Sequence, residues 1–193
     1  LRSALKHFSN WSEHINPAWE SKLADIFRAL GQSRDHDAIQ DSVIPLIKKV
    51  CDFDFALSSS SDAEIATRLS NTQTTQLFLS LLSFIHSENE AKAKLSKQVS
   101  KSLTKLYHKI LKDASQFPEL SIEQQHRTRK RVKQLRYCID FTAGLYPEKQ
   151  VQQFLDKLQP IQEYLGFYND LFVAEQIFQQ QVSEKPEFLF ALG

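Results

Sequence analysis

The chain is 193 residues long, 41% hydrophobic and 24% charged, with four Gly, six Pro, two Cys and no Met, and its formal net charge is +1. That length suits one large domain or two small ones sharing a core, and the composition is that of an ordinary soluble globular protein in which helix is favoured over a turn-rich β fold. No apolar run reaches the length of a membrane span, no signal peptide opens the chain, and Cys51 and Cys138 lack paired spacing, which points to a reducing compartment.

In chain order, the opening "LRSALKHF" reads as the middle of a helix, as in a trimmed chain. Apolar residues at three- and four-residue steps then predict helices over 17–30, 35–50, 72–86, 95–114, 122–145, 150–165 and 170–182. Asn16-Pro17 starts the first of these, and Gly31 and Gly166, each following a leucine, read as helix terminators. "SSSSD" at 58–62 is a loop-like, low-complexity run. "FPELS" at 117–121 is a short connection, so the helices on either side are expected to be antiparallel neighbours. Ser121 and Gln124 have capping-box spacing and launch the next helix, which "LYPEK" at 145–149 closes. Nothing alternates with period two, so the fold class is all-α, built of helical bundles.

The small net charge hides a segregation. Residues 97–136 hold eleven Lys and Arg against three acids (Asp113, Glu119 and Glu123), a local +8, while the remainder carries thirteen against twenty, or −7. Such a cluster repels itself unless the cations meet something negative. At about 100° per residue, and taking His126 as zero, Arg129, Lys133 and Arg136 lie near 300°, 340° and 280°, with Lys130 near 40°. Val132, Leu135 and Ile139 fall between about 180° and 240°, so an apolar face adjoins a ridge of cations. In the helix before it, Lys97, Lys101, Lys105, His108 and Lys112 share an arc of roughly 80°, opposite Val99, Leu103, Leu106 and Ile110. Two separately solvated faces are the bland alternative, but such faces usually intersperse acids at i+4, and here almost none occur.

Laid on itself at an offset of about 135, the chain repeats. Residues 23–39 match 158–174 at Leu23/Leu158, Ile26/Ile161, Leu30/Leu165, Gly31/Gly166 and Asp35/Asp170, and with a one-residue slip Arg2 falls on Arg136. We read one domain over 1–193 with internal repeats of approximately 1–116 and 117–193.

"HRTRKRVKQLRY" followed by "YPEKQVQQFLDKLQPIQEYLGFYNDLFVA" resembles the CHAD family, the conserved histidine α-helical domain. The residues that carry the likeness are His126, Arg129, Lys133, Leu135-Arg136-Tyr137, Leu165-Gly166 and Asn169-Asp170, with Arg34-Asp35 in the first-repeat version. The resemblance implies two pseudo-symmetric four-helix bundles around a basic groove or pore, and binding of inorganic polyphosphate rather than catalysis. The first His-bearing segment of the pattern is missing ahead of Leu1, which leaves one wall of the expected site incomplete. "FLFALG" reads as the start of a closing helix.

Polyphosphate also suits the residues themselves. It carries about one negative charge per phosphate and no base edges, Arg offers it paired donors, and Lys offers a movable point charge. The expected primary contacts are Arg129, Lys133 and Arg136, with Lys101, Lys105 and Lys130 beside them and Arg2 and Arg34 from the other repeat. His108 and His126 bind most strongly when protonated, so binding is expected to tighten below about pH 6.5. The competing reading is a nucleic-acid or general polyanion surface, for which only Tyr107 and Tyr137 lie near the ridges as stacking groups. An enzyme acting on phosphate esters or anhydrides would need a carboxylate cluster or a Gly-rich phosphate loop, and the basic region has neither. No catalytic residue, metal or cofactor is expected, nor a membrane partner. Asp35 and Asp170 read as first-turn residues favoured by the helix dipole, and the "DHD" at 35–37 does not suit a metal because adjacent helical residues point apart. The expected location is the cytoplasm, at polyphosphate granules.

Overall fold

The computed structural model describes residues 2–8, 14–50, 66–67, 69–87, 95–183, 185–186 and 188–192. The loop-like serine run and Cys51 lie outside these residues. Among them every regular element is helical: α1 (Arg2–Phe8), α2 (Ala18–Ala29), α3 (Gly31–Ser42), α4 (Ile44–Ile47), α5 (Thr72–His86), α6 (Leu95–Ala114), α7 (Ile122–Thr142), α8 (Glu148–Gln181) and α9 (Phe188–Leu192).

Several starts are set by side chains that satisfy the free amides of a first turn. The Asn16 carboxamide accepts from the Ala18 amide at 2.9 Å at the head of α2, and Asn71 accepts from Thr74 at 2.8 Å at the head of α5. Ser121 and Gln124 complete the expected capping box of α7, with bonds of 2.9 and 3.3 Å. The helix expected over 35–50 is instead two: α3 ends at Ser42, and α4 begins beyond Val43 with Pro45 in its first turn, where a missing N–H costs nothing.

Of the two glycine terminators, Gly31 does stand at a helix end, since α2 stops at Ala29, but not as a left-handed cap, and Gly166 is corrected. Leu30 has φ −86° and ψ −2°, its amide donates to Ile26, and its carbonyl accepts from Arg34, so Gly31 opens α3. Gly166 lies inside the 34-residue α8, and neither glycine takes the left-handed backbone on which a glycine C-cap depends. The stretches 150–165 and 170–182 are therefore one helix, which also passes through Pro160. The buried residues Leu158, Leu165, Ala174 and Phe178 continue to find packing partners along α8, and that burial outweighs two weak helix formers. Asp170 consequently sits deep in α8, and Asp35 lies beyond the first turn of α3, so neither serves as a first-turn carboxylate.

The chain divides into two compact units, each drawn from both halves of the sequence: residues 1–24 with 75–163, and residues 25–74 with 164–193. The first unit contains α6 and α7 packed along one another, with α1 laid on α7. Its buried residues include Leu5, Trp19, Leu23, Leu77, Leu81, Val99, Leu106, Val132, Leu135, Cys138 and Leu158, and Trp19 meets Phe84 edge-on at 5.4 Å. The second unit is centred on Ile39, Val43, Ile44, Ala174, Phe178 and Phe188, where the last two rings stack at 4.8 Å.

Candidate functional site

The basic segments occupy the hairpin of α6 and α7. A 3₁₀ turn over Phe117–Glu119 reverses the chain, and Gln125 donates to the Phe117 carbonyl at 3.1 Å, tying the turn to the first part of α7. Asp113, near the end of α6, accepts from Thr128 at 3.1 Å and forms an ion pair with Arg131. These cross-helix bonds join the end of α6 to the beginning of α7, as in an antiparallel pair.

Helical periodicity then sorts the side chains. On α6, Val99, Leu106 and Ile110 are buried, whereas Lys97, Lys101, Lys105, His108 and Lys112 are exposed. On α7, Thr128, Val132, Leu135, Cys138, Ile139 and Thr142 are buried. His126, Arg129, Lys133 and Arg136 flank that face and are half-buried, while Lys130 is exposed. The two ridges therefore differ. The α6 lysines are solvated and movable, and the α7 cations are partly held by their surroundings.

That holding is visible residue by residue. Arg136 donates to the Gln162 carboxamide of α8 at 3.3 Å, and its Nε lies 4.0 Å from Asp140. The Lys133 ammonium stands 5.9 Å from the Tyr137 ring centroid, a cation–π contact. His126 and Arg129 have partners of their own. Among the described residues, no ion pair involves Lys101, Lys105 or Lys130. Arg2, on α1 in the same unit, is paired with Glu20 at 2.9 Å. Arg34 belongs to the other unit, on α3, and pairs with the adjacent Asp35 at 3.2 Å.

The first unit thus contains nine of the ten expected contact residues, all but Arg34. Charge counting included Asp113 without finding its partner and overlooked Thr128 and Gln162. Gln162 left one trace, a polar residue between Leu158 and Leu165 on an otherwise apolar stripe, and only packing identifies its partner. Tyr107 and Tyr137, the candidate stacking groups, lie against Phe154 at 6.3 Å and Phe141 at 6.5 Å. Among the described residues no group of three His, Cys, Asp or Glu is placed to hold a metal ion, and no helix is long and apolar enough to cross a membrane.

Comparison with known proteins agrees with the helical architecture. The crystal structure of the CHAD domain from the plant Ricinus communis matches with a TM-score of 0.74 at 26% sequence identity, covering 100% of this chain and 68% of that one. No curated protein matches the chain. The family model for the CHAD domain matches residues 1–179. An all-helical chain that carries the His126–Tyr137 segment on α7 and matches that model over nearly all of its length belongs to the CHAD domain family.

Proposed function

We propose that this chain is a non-catalytic binding module for inorganic polyphosphate, with the cationic faces of α6 and α7 as its contact surface. One observation carries the reading: the +8 segment folds as a hairpin that buries its apolar faces and leaves its cations exposed or half-buried. Lysines a turn apart suit successive phosphates without fixed register, and the half-buried Arg129, Lys133 and Arg136 supply oriented donors. Arg131 stands apart, since Asp113 already neutralises it.

The reading includes two pseudo-symmetric repeats around a basic groove, with Arg2 and Arg34 as first-repeat contributors, and residence at cytoplasmic polyphosphate granules. Arg2 and Arg34 each have a carboxylate partner, at 2.9 and 3.2 Å, closer than the 4.0 Å between Arg136 and Asp140, so their share in binding is the smaller. A nucleic-acid surface is the less favoured reading, because both tyrosines beside the ridges already lie against phenylalanines.

The test is calorimetric titration with polyphosphate, using single-stranded DNA of matched charge as competitor and the Arg129→Ala/Lys133→Ala/Arg136→Ala variant alongside. Each charge-assisted contact contributes about 1.5–3 kcal/mol before screening, so the triple variant is expected to lose at least a hundredfold in affinity. Equal competition by DNA would reduce the site to a general polyanion surface, and an unaffected triple variant would move it elsewhere.

A further inference from the structure

Among the described residues, four arginines face a carboxylate at close range. Arg131 faces Asp113, Arg2 faces Glu20, Arg28 faces Asp25, and Arg34 faces Asp35, and the part-buried Arg131 pair is the one least screened by solvent. Arg136 has one neutral and one charged partner. Its guanidinium donates at 3.3 Å to the neutral carboxamide of Gln162 on α8, and its Nε lies 4.0 Å from Asp140, one turn along α7, in a looser ion pair than the other four. Gln162 is itself out of place by composition. It is half-buried on α8 between the buried Leu158 and Leu165, a setting where an unpaired amide is costly. Arg136 supplies its hydrogen bond.

We propose that Gln162 is a positioning residue for anion binding: it fixes the Arg136 guanidinium from the neighbouring helix while leaving its charge available to a phosphate. A carboxylate at 162 would hold the same fork as firmly and cancel the charge; an apolar side chain would keep the charge and lose the orientation. This rests on the proposed polyphosphate reading and adds to it a reason for an amide at this position.

The experiment is a double-mutant cycle in the full chain, reading polyphosphate affinity against salt for wild type, Gln162→Glu, Gln162→Met, Arg136→Ala and Arg136→Ala/Gln162→Glu. Gln162→Glu is expected to weaken binding about tenfold and to flatten the slope of log affinity against log salt by about one contact. Gln162→Met is expected to weaken binding about threefold with the slope kept. In the Arg136→Ala background Gln162→Glu should cost almost nothing further, because the charge it cancels is gone. An equal loss in both backgrounds would mean general repulsion of the ligand and overturn the proposal, as would wild-type affinity in Gln162→Glu. Thermal midpoints of the same variants separate a packing defect from these outcomes, since wild-type salt slopes in every Gln162 variant alongside lowered midpoints would make the role structural. A wild-type chain that does not bind polyphosphate overturns the parent reading instead, and Gln162 falls with it.

Discussion

At the scale of single residues, charge type and partner matter more than position in a basic run. Arg131 and Arg136 lie on one helix in one cationic segment, yet Asp113 makes the first a brace between α6 and α7, while the second meets the neutral Gln162 and, more loosely, Asp140. Cys138 illustrates the other side of the same helix. It is fully buried among Val132, Leu135 and Ile139, and burial pushes its thiol from the ordinary 9.0 up to about 11. The fold favours the neutral form, so its contribution is present below pH 9 and is lost as pH rises from about 9 towards 11, where the unfolded chain ionises first. In a Cys51→Ser variant, a thiolate-selective reagent near neutral pH is expected to label Cys138 only as fast as the protein opens. Labelling at the rate of a free cysteine in native buffer would contradict this burial. The periodicity put Val132, Leu135 and Ile139 on the packing face, whereas the partners of Arg131 and Arg136 lie 18 and 26 residues away and were not legible in it.

At the scale of elements, local rules succeeded where the signal was local. The α5 and α6 ranges match the apolar periodicity, and α7 begins at a capping box, a motif whose loss costs about 1 kcal/mol. They failed at Gly166, because a glycine ends a helix only when the chain beyond it has somewhere else to go. Leu165 on one side and Ala174 and Phe178 on the other stay buried if α8 runs on. A Cβ at Gly166 would meet nothing within 4 Å, and the backbone there is helical. Gly166→Ala is therefore expected to stabilise the protein by about 0.5–1 kcal/mol, read as a higher urea midpoint with an unchanged slope. A true terminator would give the opposite sign, since alanine pays for a left-handed backbone that glycine does not.

At the scale of the whole molecule, the proposed polyphosphate contact rests on the separation of +8 from −7. If six cations engage phosphates, affinity should fall roughly a thousandfold between about 50 and 200 mM salt, by analogy with contacts to a nucleic-acid backbone. A change of only a fewfold would leave too few ionic contacts for the proposed surface.

By itself the sequence determined the helical class, the apolar and cationic face of each long helix, and the family resemblance, because these follow from a 3.6-residue period and from short contiguous motifs. Tertiary structure decided that α8 continues through Pro160 and Gly166, that Asp113 consumes Arg131, and that Gln162 reaches Arg136. It also decided that each compact unit is assembled from both halves of the chain. Those outcomes depend on which surfaces meet across long sequence separations, and burial there outweighs the preferences of any single residue.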